Sequence, residues 1–223
     1  MHNVEAYQII INLVFLIERK MKLFYSNNSP YARKIRILID EKKVPVTLEK
    51  VVLADKNCNI HEYNPLAKVP TLVVNDISIF DSPVIAEYVD YKSGPLYLIP
   101  SDFDKKILVK RWEALADGLC DAAVAIMLEK RRPASQQNPD VFEKQMKKIR
   151  LSLKWLNREM EGKQYYLEDT FSYADIAVGS ALGYVQLRYP EIDFKNEYLN
   201  LYDLYELLMQ RPSFQTTVPE PYL

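Results

Sequence analysis

The chain has 223 residues, with 29 Lys plus Arg against 30 Asp plus Glu, 5 Gly, 2 Cys and 2 His. No glycine precedes Gly94, so the opening segment holds neither a three-glycine dinucleotide fingerprint nor a P-loop, and Gly118, Gly162, Gly179 and Gly183 are too scattered to build one later. His2, His61, Cys58 and Cys120 lack zinc-site spacing, a Ser-His-Asp hydrolase would rest on His61, and near-balanced charge gives no general pull toward nucleic acid or acidic membranes. An enzyme of this composition takes its chemistry from a bound molecule. The length allows one or two domains, and 48% hydrophobic residues suffice to bury a core without disulfides or metals. Two unpatterned cysteines and the lack of a secretory pattern fit a reducing cytoplasm.

Ile9 to Ile17 is an apolar run interrupted by Asn12, too short for the roughly 20 residues that span a bilayer, and its flanking charges are inverted relative to a signal peptide. Residues 1–20 read as an extension outside the fold, or as an added helix docked on the body or on a partner. Met21 to Ser26 reads as a buried strand. Pro30 suits the first position of a helix in which Ile35, Leu38 and Ile39 share one face, with Arg33, Lys34, Arg36, Asp40 and Glu41 elsewhere and Pro45 ending the element. Val46 to Val52 and Thr71 to Val74 read as strands, with at most one helical turn between Asp55 and Asn64. Asn75-Asp76 is a hairpin turn into a fourth strand, Ile77 to Phe80. Ser82 is a good N-cap and Pro83 a good first residue for a helix to about Tyr91.

The order β-α-β then β-β-α predicts a small mixed sheet faced by helices over 21–93. A Pro-containing linker, 94–102, follows, and beyond it strand signals almost vanish. Apolar residues at helical spacing predict helices over Phe103–Lys130, Val141–Glu161, Ser172–Arg188 and Leu199–Met209, so 103–223 reads as an all-α bundle.

Four short segments stand out. Ser26 to Lys34 ends the first strand and opens a helix, where free N–H groups favour an anion; Ser29 there either caps the helix or hydrogen-bonds a thiolate and lowers its pKa. Asn64 to Thr71 contains Val69-Pro70. It is either an ordinary proline loop or, if the bond is cis, a backbone turned outward to pair with an extended ligand. Asp81-Ser82-Pro83 is either a plain cap or a helix start that holds a carboxylate with help from the Ser82 hydroxyl, Asp81 pairing with an amine. Ser172 to Asp175 is a capping-box pattern read as structural.

These segments, in this order, resemble the cytosolic glutathione transferase family, and the resemblance covers nearly the whole chain from Met21. The closest likeness is to bacterial members with serine at the first-helix site. It implies an α+β fold: an N-terminal thioredoxin-like domain that binds glutathione, followed by an all-α helical-bundle domain supplying most of the second-substrate pocket. It implies glutathione as co-substrate, no metal, and a binding set of Ser29, Tyr31, Lys68, Val69, Pro70, Asp81 and Ser82. By the resemblance Ser29 stabilises the glutathione thiolate, the Val69 backbone pairs with the cysteinyl unit, and Asp81 and Ser82 hold the γ-glutamyl end. Lys68 reaches toward a glutathione carboxylate.

Serine in place of the cysteine of omega-like members argues against thiol-disulfide reduction, which needs a mixed disulfide. Tyr25 resembles the catalytic tyrosine of other classes and Ser26 is a further hydroxyl, ranked after Ser29. The implied function is a cytoplasmic, detoxification-type transferase acting on a small electrophile, a homodimer with no nucleic-acid or membrane partner. The alternatives carried by the same resemblance are a non-catalytic regulator that binds RNA polymerase and a glutathione-dependent isomerase, dehalogenase or peroxidase. Trp112 and Tyr184 are either second-substrate lining or core.

Overall fold

The computed structural model describes residues 20–94 and 97–220. These divide into two compact units: one runs to Ser101 and takes the chain back from Ser213, and the other is Asp102–Pro212. The expected N-terminal extension lies, except for Lys20, outside the described residues.

The first unit is built on a four-stranded sheet of order β2-β1-β3-β4, from β1 (Met21–Tyr25), β2 (Thr47–Lys50), β3 (Thr71–Val74) and β4 (Ile77–Ile79). β1 and β2 are parallel and are joined by the crossover helix α1 (Pro30–Glu41), whereas β3 pairs antiparallel with β1 and β4. Asn75 makes the β3–β4 turn at φ +55, a left-handed conformation that asparagine tolerates. Pro30 opens α1 as expected. The helix closes at Glu41 rather than running to Pro45, because the Lys42 N–H turns back to the carbonyls of Leu38 and Asp40 and Lys43 adopts φ +52.

Helix α1 is buried more widely than its periodicity indicated. Ile35, Leu38 and Ile39 face the core, but Arg33 and Lys34 are also only 1% exposed. For Arg33 the cause lies far along the chain. The short helix α8 (Pro212–Gln215) and the residues after it belong with this unit, although the sequence reading grouped them with the bundle. Arg33 donates from Nη2 to the Phe214 carbonyl at 3.3 Å and lies over the Phe214 ring, while Ser213 Oγ donates to the Glu41 carboxylate. Helix α2 (Ser82–Lys92) follows β4. Near its end Asp90, itself buried, accepts from the Leu98 and Ile99 N–H groups and pairs with Lys42 at 3.1 Å.

The second unit contains α3 (Phe103–Lys130), α4 (Pro139–Glu159), α5 (Tyr173–Arg188), α6 (Phe194–Glu197) and α7 (Leu199–Leu208). α5 is buried on all sides from Tyr173 to Val185, as a helix rich in small and apolar residues must be. Its start is the predicted capping box: Asp175 Oδ2 accepts from the Ser172 N–H and hydroxyl, and Oδ1 accepts from the Tyr166 N–H. Trp112 and Tyr184 are 3% and 2% exposed, so both lie in the core of this unit. Among the described residues no helix is long and apolar enough to cross a membrane.

Candidate functional site

The strand registers gather three segments at one end of the sheet. Phe24 stands opposite Thr71, and Leu72 opposite Ile79, so the end of β1, the start of β3 and the end of β4 share that edge. The chain leaving or entering at these points carries the three segments in which the sequence suggested binding chemistry.

Ser29 is the N-cap of α1. Its Oγ accepts from the Ala32 N–H at 3.1 Å and donates to the Val69 carbonyl at 3.4 Å, the long end of hydroxyl hydrogen bonding. The capping reading of Ser29 is therefore realised, and its single proton is held only weakly. Tyr31 is half-buried on the first turn of α1. Tyr25, at the end of β1, has its ring 4.5 Å from the Arg36 guanidinium. Burial lowers the pKa of Arg36 from its ordinary value, and the neighbouring Tyr25 partly offsets that.

Val69-Pro70 is a cis peptide bond. Val69 packs with Phe24 and Ile60, and among the described residues no hydrogen bond uses its N–H. The loop before it is organised by Asn64, a buried side chain to which the sequence reading gave no role of its own. Asn64 Oδ1 accepts from the Leu66 N–H, and its amide donates to the Lys68 carbonyl and to Thr71 Oγ1. The first of these is an Asx-turn, which the Asn-Pro pair signals. Lys68 itself is exposed and enters the site through its carbonyl, which also accepts from Thr71 Oγ1.

At α2 the expectation shifts by one residue. Asp81, extended and exposed, is the N-cap, its carboxylate accepting from the Ser82 N–H; Ser82 is the first helical residue and Pro83 the second. The Phe80-Asp81 bond is also cis. The free N–H groups expected here are largely taken, since Val84 and Ile85 both donate to the Asp81 carbonyl and Pro83 has none. What remains is the Ser82 hydroxyl: the residue is 1% exposed and Oγ has no hydrogen-bond partner among the described residues. Among those residues no group of three or more His, Cys, Asp or Glu side chains is placed to hold a metal ion.

Comparison with known proteins bears on both units. Residues 23–95 match the family profile described as glutathione S-transferase, N-terminal domain, and residues 139–207 match glutathione S-transferase, C-terminal domain. The chain is 34% identical over 206 residues to the uncharacterized GST-like protein YibF of Escherichia coli (strain K12), covering 89% of this chain and 98% of that protein. A glutathione S-transferase of Methylobacillus flagellatus KT, solved with glutathione bound, superposes with a TM-score of 0.88 at 47% identity, covering 90% of this chain and 100% of that one. One from Methylobacterium radiotolerans JCM 2831, in complex with glutathione sulfonate, gives 0.87 at 33% identity over 92% and 97% of the two chains. Matches of this extent and identity, on the sheet unit and the helical unit alike, establish that the chain belongs to the glutathione S-transferase family.

Proposed function

We infer that the first unit binds glutathione and that the protein uses the glutathione thiolate to attack a small electrophile. The observation that carries this reading is the Ser82 hydroxyl, buried without a partner at the start of α2. Leaving such a group unsatisfied costs about 1–3 kcal/mol, which a ligand acceptor recovers. The γ-glutamyl carboxylate is that acceptor, and the outer oxygen of the exposed Asp81 takes the adjacent amine. The unused Val69 N–H, and a carbonyl receiving only a long bond from Ser29, suit strand-like pairing with the cysteinyl unit. Tyr31, Lys68 and Pro70 border the same sheet edge and complete the binding set. The glutathione and glutathione sulfonate bound by the two bacterial relatives support the same ligand for this chain.

The chemistry follows from Ser29. Its Oγ accepts from the Ala32 N–H, and its own proton goes only to the Val69 carbonyl at 3.4 Å. A thiolate outcompetes a carbonyl at 3.4 Å for that proton. Hydrogen bonds to charged groups contribute about 1.5–3 kcal/mol, equivalent to roughly one to two units of thiol pKa. That brings a free thiol near 8.5 close to neutrality. The thiolate then forms a carbon–sulfur bond as the leaving group departs with its electron pair. Tyr25 ranks second because its ring is engaged by Arg36. Phe103 and Ile107, one turn apart at the start of α3 and 72% and 50% exposed, suit self-association, in keeping with a homodimer.

Titration calorimetry with glutathione, paired with a conjugation assay on a generic aryl halide, tests the reading. Saturable binding with turnover is expected. No binding at millimolar glutathione overturns it, and binding without turnover confines the protein to a binding role.

A further inference from the structure

Helix α4 presents a groove that the glutathione reading does not use. It has a volume of about 1250 Å³ and runs along the outer face of α4 to the start of α7, entirely within the second unit. Apolar, cationic and acidic side chains line it, the acidic ones being Glu143, Glu161 and Glu197. Leu151 and Trp155, one turn apart, are 58% and 46% exposed. Beside them runs a row of cations, Lys147, Arg150, Lys154 and Arg158, at helical spacings of three and four.

Such a row is locally unfavourable, because like charges one turn apart repel. Only Arg150 is answered, by Glu197 at 2.8 Å; Lys147, Lys154 and Arg158 have no carboxylate in ion-pair reach among the described residues. Arg158 lies over the Trp155 ring at 4.3 Å, so cation and aromatic form one composite surface. An exposed Trp and Leu framed by unanswered cations is not needed to hold α4, whose buried face is Ile149, Leu153 and Leu156.

We propose that this groove docks an acidic amphipathic helix of a partner protein, its apolar side chains on Leu151 and Trp155 and its carboxylates on Lys147, Lys154 and Arg158. In the helix-in-groove mode an amphipathic helix lays its apolar face into an apolar groove, and cations at the margin complement carboxylates on its flanks. A nucleic-acid backbone fits less well, because its phosphates bring no apolar face for Leu151 and Trp155; of the acidic residues in the lining, Glu197 is paired with Arg150, and Glu143 and Glu161 precede and follow the cationic row, which leaves Lys147, Lys154 and Arg158 to the partner's carboxylates. The inference is independent of the glutathione site, since the two share no residue.

Trp155 is the natural reporter, because the only other tryptophan, Trp112, is buried. The probe is a synthetic helix of roughly 18 residues, about five turns, with Leu and Phe on one face and Glu on the flanks, titrated into the full chain at low ionic strength. Trp155 emission is expected to shift to the blue saturably. The affinity is expected to fall about tenfold or more in the double variant Lys147→Glu, Lys154→Glu, since reversing rim charges acts on steering and complementarity. Glutathione binding and the urea unfolding midpoint of that variant should match the parent's. Four outcomes overturn the proposal: no shift; equal binding of a Glu/Ser peptide lacking apolar residues; protection of Trp155 by duplex DNA or anionic vesicles in preference to the peptide; or Trp155 already covered by self-association on sedimentation.

Discussion

Two serines of the candidate site make opposite demands on the fold, and this separates their predicted phenotypes. Ser29 is used by the unliganded protein, because it caps α1 through the Ala32 N–H. Ser29→Ala should therefore cost about 1 kcal/mol of stability from the lost cap. It should also lower the conjugation rate at neutral pH by about 10- to 100-fold, the equivalent of one to two units of thiol pKa. Glutathione affinity should change little, and the midpoint of the rate–pH profile should rise. An unchanged rate with clearly weakened affinity would remove Ser29 as the thiolate stabiliser. Ser82 serves nothing in the unliganded protein, since its buried Oγ has no partner among the described residues. Ser82→Ala should leave the urea midpoint unchanged or higher, while weakening glutathione binding by roughly 5- to 30-fold, the loss of a 1–2 kcal/mol hydrogen bond. A variant that destabilises the free protein and leaves binding intact would make Ser82 structural. Both serines were legible in the sequence because caps and helix-start ligands use the same residue types. Which use dominates depends on how many donors the backbone has already filled, and that is set by the tertiary fold and not by the local sequence.

At the scale of elements, the capping box of α5 carries a pH dependence. Asp175 is fully buried, and that burial pushes its pKa up to about 6 in spite of the N–H and hydroxyl groups donating to it. Its folded value lies above the ordinary carboxylate value near 3.9, so the native state binds the extra proton. Its contribution to stability is thus present below about pH 4 and is lost as pH rises to about 6. Asp175→Asn cannot titrate, and it also presents an amide N–H₂ to groups that are themselves donors. Urea unfolding should show the variant less stable than the parent at pH 7.5 by about 1–3 kcal/mol. The deficit should widen by about 2 kcal/mol at pH 4.5, where the parent alone gains from protonation. A deficit independent of pH would mean that Asp175 titrates at its ordinary value in the folded protein. The box was legible from Ser172 and Asp175 alone because it is a local device spanning one helical turn. The strands and the bundle helices were legible for the same reason: alternation, the Asn75-Asp76 turn and helical spacing are short-range signals.

The scale of the whole chain is where local signals fail. The helical spacing sets Arg33 and Lys34 off the apolar face of α1, yet both are buried, and the residues that bury Arg33 lie more than 180 positions further on. Periodicity reports which residues of a helix are apolar; it says nothing of a segment returning from the far end of the chain. That return has an energetic consequence. Phe214 is fully buried in the first unit, the Arg33 guanidinium donates to the Phe214 carbonyl and to Thr217 Oγ1, and the Asn27 amide donates to Glu220 at 2.7 Å. We propose that the sheet unit is complete only with these residues. Residues 1–101 alone would lose the Phe214 packing, with a cost of the order of 3–5 kcal/mol for a buried phenylalanine. They would also expose Arg33 groups that the native chain holds in hydrogen bonds. That loss is a large part of the whole stability of a small domain, about 5–15 kcal/mol. The fragment should therefore unfold at a much lower urea concentration than the same fragment fused, through a glycine-serine linker, to residues 209–223. The fusion should recover glutathione binding, and Phe214→Ala within it should abolish most of the recovery. Equal urea midpoints for the two fragments would show that the first unit folds on residues 1–101 alone and that the returning segment is merely attached to it.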